Sequence, residues 1–146
     1  MTASHTARRW AEGWARGWAT HDVELISSLY AESALFSSAF FRDPQPPREY
    51  AAWAFSDEAS AEVWFAQPVV EGNRAAVAWW AISRGTDGRD TTLAGASMIV
   101  FGDDGLVIRQ RDYWNEALDT AMPPPEDWGP VAAHEPSRYF GGSERA

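Results

Sequence analysis

The sequence contains no cysteine and only three histidines. The lack of cysteine excludes disulfides, thiolate nucleophiles and zinc–thiolate sites. His5, His21 and His134 lie far apart, and no helical or strand spacing places two of them on one face. No glycine-rich nucleotide-binding motif occurs either. We therefore expect no metal centre and no cofactor, so any catalysis would be acid–base chemistry.

Basic residues are also scarce, since 12 arginines and no lysine stand against 21 aspartates and glutamates, for a formal net charge of -9. Such a chain repels phosphate backbones and anionic lipid headgroups, so we expect neither nucleic acid nor a membrane surface as a partner. No apolar run approaches the roughly 18 residues of a membrane-spanning helix, and the N-terminal residues do not resemble a signal peptide. We expect a cytoplasmic protein.

Aromatic side chains, in contrast, are in excess. Nine tryptophans, seven phenylalanines and four tyrosines make up 14% of the 146 residues. Indoles have an apolar body and one N–H donor, which suits either a bulky core or the wall of a cavity for a small organic ligand. The length fits one domain, which we place at residues 1–118, followed by a proline-rich tail at residues 119–146.

Helices are predicted in the first part of the chain. Trp10, Trp14 and Trp18 recur every four residues and indicate a helix over residues 5–19 with its aromatic stripe facing inward. Two glycines within this helix suggest that another segment approaches it closely. The further predicted elements are a second helix from the Asp22 N-cap to about residue 32, a strand over 34–41 and a third helix over 47–57.

Long β segments fill the second half of the predicted domain. Three glycine-containing turns separate them, and consecutive hairpins form an antiparallel meander. The four segments are residues 61–70, 74–84, 90–101 and 106–116. Helices followed by such a sheet belong to the α+β class.

The last predicted strand carries the candidate catalytic group. Because side chains alternate along a strand, one face consists of Ile108, Gln110, Asp112, Trp114 and Glu116. We interpret this face as the interior, where desolvation raises the pKa of an aspartate and makes Asp112 a candidate proton acceptor. The alternative is a structural aspartate that caps backbone N–H groups or pairs with an arginine such as Arg42 or Arg74.

The strand before it, residues 90–101, is apolar on both faces. Such a strand is covered on both sides, so one face should meet the helices or a cavity, and the other a partner chain or the tail. We therefore expect a homodimer formed through the sheet.

The order of these elements resembles the nuclear transport factor 2-like superfamily over about residues 5–118. The inter-helix turn Thr20-His21-Asp22 and the strand end Tyr113-Trp114-Asn115-Glu116 fit the same pattern. That superfamily includes ketosteroid isomerase and the SnoaL-like polyketide cyclases. The resemblance implies a cystatin-like α+β roll, in which a cone-shaped, curved antiparallel sheet wraps around the N-terminal helices and encloses a deep apolar pocket.

Compared with ketosteroid isomerase, this sequence departs at all three principal positions. The resemblance places Trp14 at the oxyanion-hole tyrosine, Ser38 at the general-base aspartate and Ser97 at the protonated aspartic acid. Isomerisation by that constellation is therefore not expected. The SnoaL-like cyclases use an acidic residue that faces such a cavity, and Asp112 is the acidic residue that strand alternation places there.

Three functions remain compatible with these residues. In the first, the protein is a metal-independent isomerase, cyclase or dehydratase for an apolar carbonyl compound, in which Asp112 abstracts a proton or activates water while Trp14 and Ser97 stabilise the oxyanion. In the second, it binds a small apolar or aromatic ligand without a reaction. In the third, it is an interaction domain. The expected ligand-binding residues are Trp18, Ser38, Phe40, Trp53, Trp79, Gln110 and Trp114.

Overall fold

A computed structural model describes residues 2–128 and 130–134, so residues 135–146 of the predicted tail lie outside the described part. Three α-helices and seven strands follow one another along the chain. They are α1 (Ala3–Thr20), α2 (Val23–Ser27), β1 (Tyr30–Ser37), α3 (Pro47–Ser56), β2 (Glu58–Ala66), β3 (Val69–Glu71), β4 (Arg74–Gly85), β5 (Asp90–Phe101), β6 (Val107–Leu118) and β7 (Pro130–His134), with a 3-10 turn at Glu126–Trp128 before β7.

The strands form one curved, unclosed sheet in the order β1-β6-β5-β4-β2-β7, and β3 pairs with β4. The predicted meander is confirmed, because β2, β4, β5 and β6 pair as successive antiparallel neighbours. One pair departs from the antiparallel expectation, since β1 runs parallel to β6. The class is α+β, as the sequence predicts.

Helix α1 lies against the concave face of the sheet. The Thr2 hydroxyl accepts a hydrogen bond from the His5 N–H and caps the helix at its start. A Cβ at Gly13 would lie 2.9 Å from the Leu29 side chain, and one at Gly17 would lie 2.5 Å from Ile26, so the close approach predicted at these glycines is confirmed. No helix among the described residues is long and apolar enough to span a membrane.

The second helix is shorter than predicted. It ends at Ser27, and β1 begins at Tyr30, where the sequence predicts a helix to about residue 32. Parallel pairing with β6 explains the difference, because the Val107 N–H donates to the Leu29 carbonyl and β1 continues alongside. Sheet pairing satisfies these backbone groups, and the local helical pattern is overridden.

The core lies between α1 and the concave sheet face. Its largest fully buried side chains are Trp10, Phe36, Phe65, Ile26, Ile99, Val63, Val77 and Val107, with Gln110 as a buried polar member. Edge-to-face contact between Trp10 and Phe65, at a centroid distance of 5.7 Å, joins the helix to β2. This aromatic packing holds α1 in a fixed position over the strands that carry the candidate site.

The described part of the tail crosses the convex face of the sheet. The Trp80 indole donates to the Met122 carbonyl at 2.8 Å, and the ring of Trp128 packs edge-on against the Trp80 ring. The chain then adds β7 to the free edge of β2. Pro130 stands first in that strand, a position at which proline is tolerated. Met98 on the same convex face is about half exposed, and the homodimer through the sheet stays a prediction.

Candidate functional site

A cavity of about 300 Å³ opens between α1, α3 and the concave face of β4, β5 and β6. Its wall is predominantly aromatic and contains several carboxyl groups. The lining residues are Trp10, Trp14, Trp18, Arg42, Tyr50, Trp53, Ala54, Phe55, Asp57, Glu58, Phe65, Trp79, Ser83, Thr91, Leu93, Ser97, Gln110, Asp112, Trp114 and Glu116. The excess of tryptophan that marks the sequence is thus concentrated around one hollow.

Strand alternation predicts the interior of β6 correctly over its central part. Gln110, Asp112 and Trp114 all line the cavity. Ile108 does not follow this pattern, because it is exposed while Val107 is fully buried. The pairing register shifts between residues 107 and 109, and an extra residue at such a bulge moves every earlier side chain to the opposite face.

The carboxyl group of Asp112 is buried at the deep end of the cavity, and the residue is 6% exposed. Ser97 Oγ donates to its Oδ1 at 2.6 Å, and Gln110 Nε2 donates to the same oxygen at 2.9 Å. Burial raises the pKa of Asp112 to about 7, while these two hydrogen bonds lower it in part. The group therefore titrates in the neutral range.

The second carboxylate oxygen of Asp112 is free for a ligand. Among the described residues none donates to Oδ2, which remains open to the cavity. Neither arginine considered above neutralises the group, because Arg74 pairs with Glu71 and Arg42 lies 4.7 Å above the Trp53 ring. The interpretation of Asp112 as half of an arginine ion pair is therefore wrong.

A relay of buried side chains fixes the orientation of Gln110. Its Oε1 accepts the Tyr30 hydroxyl and, at 3.1 Å, the Trp10 N–H. With its oxygen held in this way, the amide directs its NH₂ group at Asp112. Trp14 completes the relay by donating to the Tyr30 oxygen at 2.8 Å.

The same network already uses Trp14 and Ser97, the two donors that the sequence analysis expects to stabilise an oxyanion. The Trp14 N–H is bound to Tyr30, and the Ser97 hydroxyl is bound to Asp112. Trp79 in turn donates to Ser97 Oγ at 3.0 Å. In this arrangement Trp14 and Ser97 position the carboxyl group, and neither has a hydrogen left to donate to a ligand.

The structure brings five of the seven expected ligand-binding residues to the cavity: Trp18, Trp53, Trp79, Gln110 and Trp114. The other two lie elsewhere. Ser38 is fully buried behind the wall, where its carbonyl accepts the Trp114 N–H. Phe40 is more than half exposed and packs on Tyr113, whose side chain is on the outer face of β6. Phe40 departs from the predicted lining because β1 ends at Ser37, before the strand alternation could reach it.

Sequence reasoning missed a second buried carboxyl group, Glu58, in the same wall. Its side chain is 7% exposed. The Trp18 N–H donates to both oxygens, at 3.0 and 3.2 Å, and His21 Nε2 lies 2.8 Å from Oε1. The Ser83 hydroxyl donates to Oε2. These partners lie 25 to 40 residues away in sequence, so no local pattern could identify the cluster.

Sequence reasoning also passed over Tyr50 as a cavity residue. It shares one face of α3 with Trp53 and Ala54, at helical spacing, and all three line the cavity. Its ring stacks on Phe36 at a centroid distance of 4.5 Å. The apolar face of this helix is visible in the sequence, but only Trp53 was assigned to the ligand.

Within residues 2–128 and 130–134 there is no group of three or more histidine, aspartate or glutamate side chains that could hold a metal ion. The cavity instead offers carboxyl, phenol and indole groups on an apolar wall. Such a set can transfer protons and donate hydrogen bonds to an organic ligand.

Comparison with known proteins agrees with this architecture. The model of the SnoaL-like domain matches residues 8–110, which is most of the described fold. The chain belongs to the SnoaL-like domain family. Among curated proteins, none matches it.

Solved structures similar to this SnoaL-like protein include SalBIII, an epoxide hydrolase/cyclase-like enzyme of pyran ring formation in salinomycin, at 17% identity and a TM-score of 0.66, covering 78% of this chain and 95% of that one. An LEH-like epoxide hydrolase from M. tuberculosis matches at 14% identity and a TM-score of 0.64, covering 78% and 86%. An NTF2-like protein of unknown function from Exiguobacterium sp. 255-15 matches at 14% identity and 0.63, covering 75% and 98%. These likenesses establish the fold.

Proposed function

We propose that this SnoaL-like protein is a metal-independent acid–base enzyme acting on a neutral, apolar carbonyl compound, with Asp112 as the proton acceptor. One observation carries the proposal: a buried carboxyl group with a pKa of about 7 presents a free oxygen to an aromatic cavity. A general base is most effective when its pKa lies near the working pH, and this one satisfies that condition.

The proposed step is enolisation. The ionised Asp112 removes a proton from the carbon next to the carbonyl, the C–H electron pair becomes the C=C bond of the enolate, and the carbonyl oxygen takes the negative charge. Return of the proton from Asp112 to carbon, at the same or a conjugated position, completes an isomerisation. Protons and electrons balance without a further reactant.

The charge of the wall supports a substrate without negative charge. Asp57, Glu58 and Glu116 line the cavity together with Asp112, and Arg42 is the cationic side chain at its open end. Carboxylates in a confined, poorly solvated space repel anions strongly. Phosphorylated or carboxylated compounds are therefore poor candidates, and a small ketone matches both the volume and the lining.

Hydrogen exchange of a model ketone tests the proposal. The protein is incubated with 1-tetralone in D₂O, and loss of the C2 proton signal is followed by NMR. We expect catalysed exchange that rises with pH through about 7, and a loss of roughly 10²- to 10⁴-fold in Asp112→Asn. Asp103→Asn, at an exposed turn position, serves as the matched control and should exchange at the wild-type rate.

Two results would contradict the enzyme. Equal exchange in wild type and Asp112→Asn would remove the assigned base. Saturable quenching of tryptophan fluorescence by 1-tetralone without any catalysed exchange would favour the alternative of a non-catalytic binding protein for a small aromatic ligand.

A further inference from the structure

Tyr50 is one of the lining residues whose hydrogen-bond donor is not used by the described residues; the Trp53 indole and the Thr91 hydroxyl are others. Trp53 is more than half exposed, and Thr91 lies opposite Ser83, six residues along β5 from Ser97. Five lining indoles donate internally: Trp10 and Trp14 to the relay, Trp18 to Glu58, Trp79 to Ser97 and Trp114 to the Ser38 carbonyl. The Ser83 and Ser97 hydroxyls donate to Glu58 and Asp112. The Ser38 hydroxyl hydrogen-bonds to the Tyr50 oxygen and so lowers the pKa of the phenol in part. Within residues 2–128 and 130–134 no acceptor takes the Tyr50 hydrogen itself, so the O–H can donate into the cavity.

The position of Tyr50 is well defined by packing. Its ring lies nearly parallel to Phe36, at 22° and a centroid distance of 4.5 Å, and Trp53 packs on it at 6.0 Å. A phenol held between aromatic rings has few rotamers to lose when a ligand binds, so its hydroxyl is preorganised as a donor.

Tyr50 is also electrostatically coupled to the proposed base. Burial is the largest cause of the raised pKa of Tyr50, and the negative charge of Asp112 raises it further. The phenol therefore stays protonated across the working pH range and can only donate when an oxygen acceptor approaches. Both residues line the same cavity.

We propose that the Tyr50 hydroxyl is the hydrogen-bond donor that binds the substrate's carbonyl oxygen while Asp112 exchanges the proton on the adjacent carbon. This inference rests on the proposed function and refines its substrate class to compounds whose oxygen acceptor is adjacent to an acidic C–H bond. As the C–H electron pair moves into the enolate, negative charge develops on the oxygen, and the Tyr50 O–H stabilises it. Tyr50 takes the place that sequence comparison gives to Trp14 and Ser97, whose donors are already used.

Matched pairs of ligands test the proposal by binding alone. The affinities of 1-tetralone and tetralin, which differ by the carbonyl group, are measured by tryptophan quenching in wild type and in Tyr50→Phe. We expect the variant to bind 1-tetralone about tenfold more weakly, because one hydrogen bond to the ligand is lost. Its affinity for tetralin should be unchanged. Unchanged tetralin binding also shows that the variant retains its cavity.

Infrared spectra give a second readout. The carbonyl stretch of bound 1-tetralone should lie at lower frequency in wild type than in Tyr50→Phe, because hydrogen bonding weakens the C=O bond. Tyr113→Phe is the matched control, since Tyr113 neighbours Asp112 in sequence but faces outward against Phe40, and it should match wild type. Equal 1-tetralone affinity in wild type and Tyr50→Phe, or no measurable 1-tetralone binding to wild type, would overturn the assignment.

The two hypotheses fail in different ways. If proton exchange depends on Asp112 but the affinity for the ketone is unaffected by Tyr50→Phe, the proposed enzymatic function stands and the assigned role of Tyr50 is wrong. Ketone affinity that depends on Tyr50, without catalysed exchange, would support Tyr50 as the ligand's donor and overturn the enzyme.

Discussion

Asp112 and Glu58 are buried carboxyl groups in the wall of one cavity, yet their surroundings differ. Asp112 accepts two hydrogen bonds, both on Oδ1. Glu58 accepts bonds on both oxygens, from an indole, an imidazole and a hydroxyl. The four acceptor sites of a carboxylate are thus filled in one case and half-filled in the other.

This difference assigns a structural role to Glu58 and a chemical role to Asp112 within the same cavity. Glu58 joins the end of α1 to β2 and β4 and holds the Trp18 indole in the wall. Asp112 keeps an oxygen for a ligand. The two carboxyl groups lie towards opposite ends of β5. Ser97 of that strand pairs with Asp112, and Thr91 pairs with Ser83, which donates to Glu58. Ser97 and Thr91 are six residues apart, which is about 20 Å along a strand. The edge-on contact of Trp18 and Trp79, at 5.7 Å, lies between the two ends.

The largest expected effect is a pH-dependent loss of stability that belongs to Asp112. Its pKa is about 7 in the folded protein and about 3.9 in the unfolded chain. The folded state therefore holds the proton more tightly, so this stabilisation is complete below about pH 4 and lost as the pH rises through about 7. The free energy of unfolding should fall by about 4 kcal/mol over that window.

Urea denaturation of wild type and Asp112→Asn at several pH values measures this contribution, because the amide does not titrate. We expect the difference between the two proteins to follow the predicted slope and to be constant above pH 8. Parallel stability curves for the two proteins across the whole range would show that Asp112 is solvated and that the comparison with Glu58 has no basis.

Removal of the second carboxyl group should destabilise the fold. Glu58→Ala leaves the Trp18 N–H, the Ser83 hydroxyl and His21 without their buried acceptor, and we expect a loss of about 3 kcal/mol at neutral pH. Glu71→Ala, which removes an exposed partner of Arg74, should cause no measurable change. A Glu58→Ala variant as stable as wild type would indicate that this cluster is not structural.

A smaller effect is expected when one donor to Asp112 is removed. The Ser97 hydroxyl lowers the pKa of Asp112, so Ser97→Ala should move the midpoint of the pH profile of 1-tetralone exchange upward by about one unit. A shift to lower pH would contradict the donor role of Ser97, since the lost hydrogen bond favours the charged form.

The fold and half of the site can be read from the sequence for physical reasons. The tryptophan stripe of α1 and the alternation along β6 are local patterns with fixed periods, and they correctly place Trp14, Trp18, Gln110 and Asp112 around one cavity. Prediction fails where pairing between distant segments determines the local structure. This occurs at the start of β1 and at the bulge that turns Ile108 outward.

Composition and periodicity by themselves determine the α+β class, the aromatic wall and the inward direction of Asp112, because these follow from side-chain bulk and from the geometry of single elements. Only the tertiary structure decides which donors are already used, that Trp18, His21 and Ser83 fill the acceptor sites of Glu58, and that the Tyr50 hydrogen has no acceptor among the described residues. Hydrogen bonds between residues 15 to 100 positions apart depend on how the elements pack, and no local pattern in the chain encodes them.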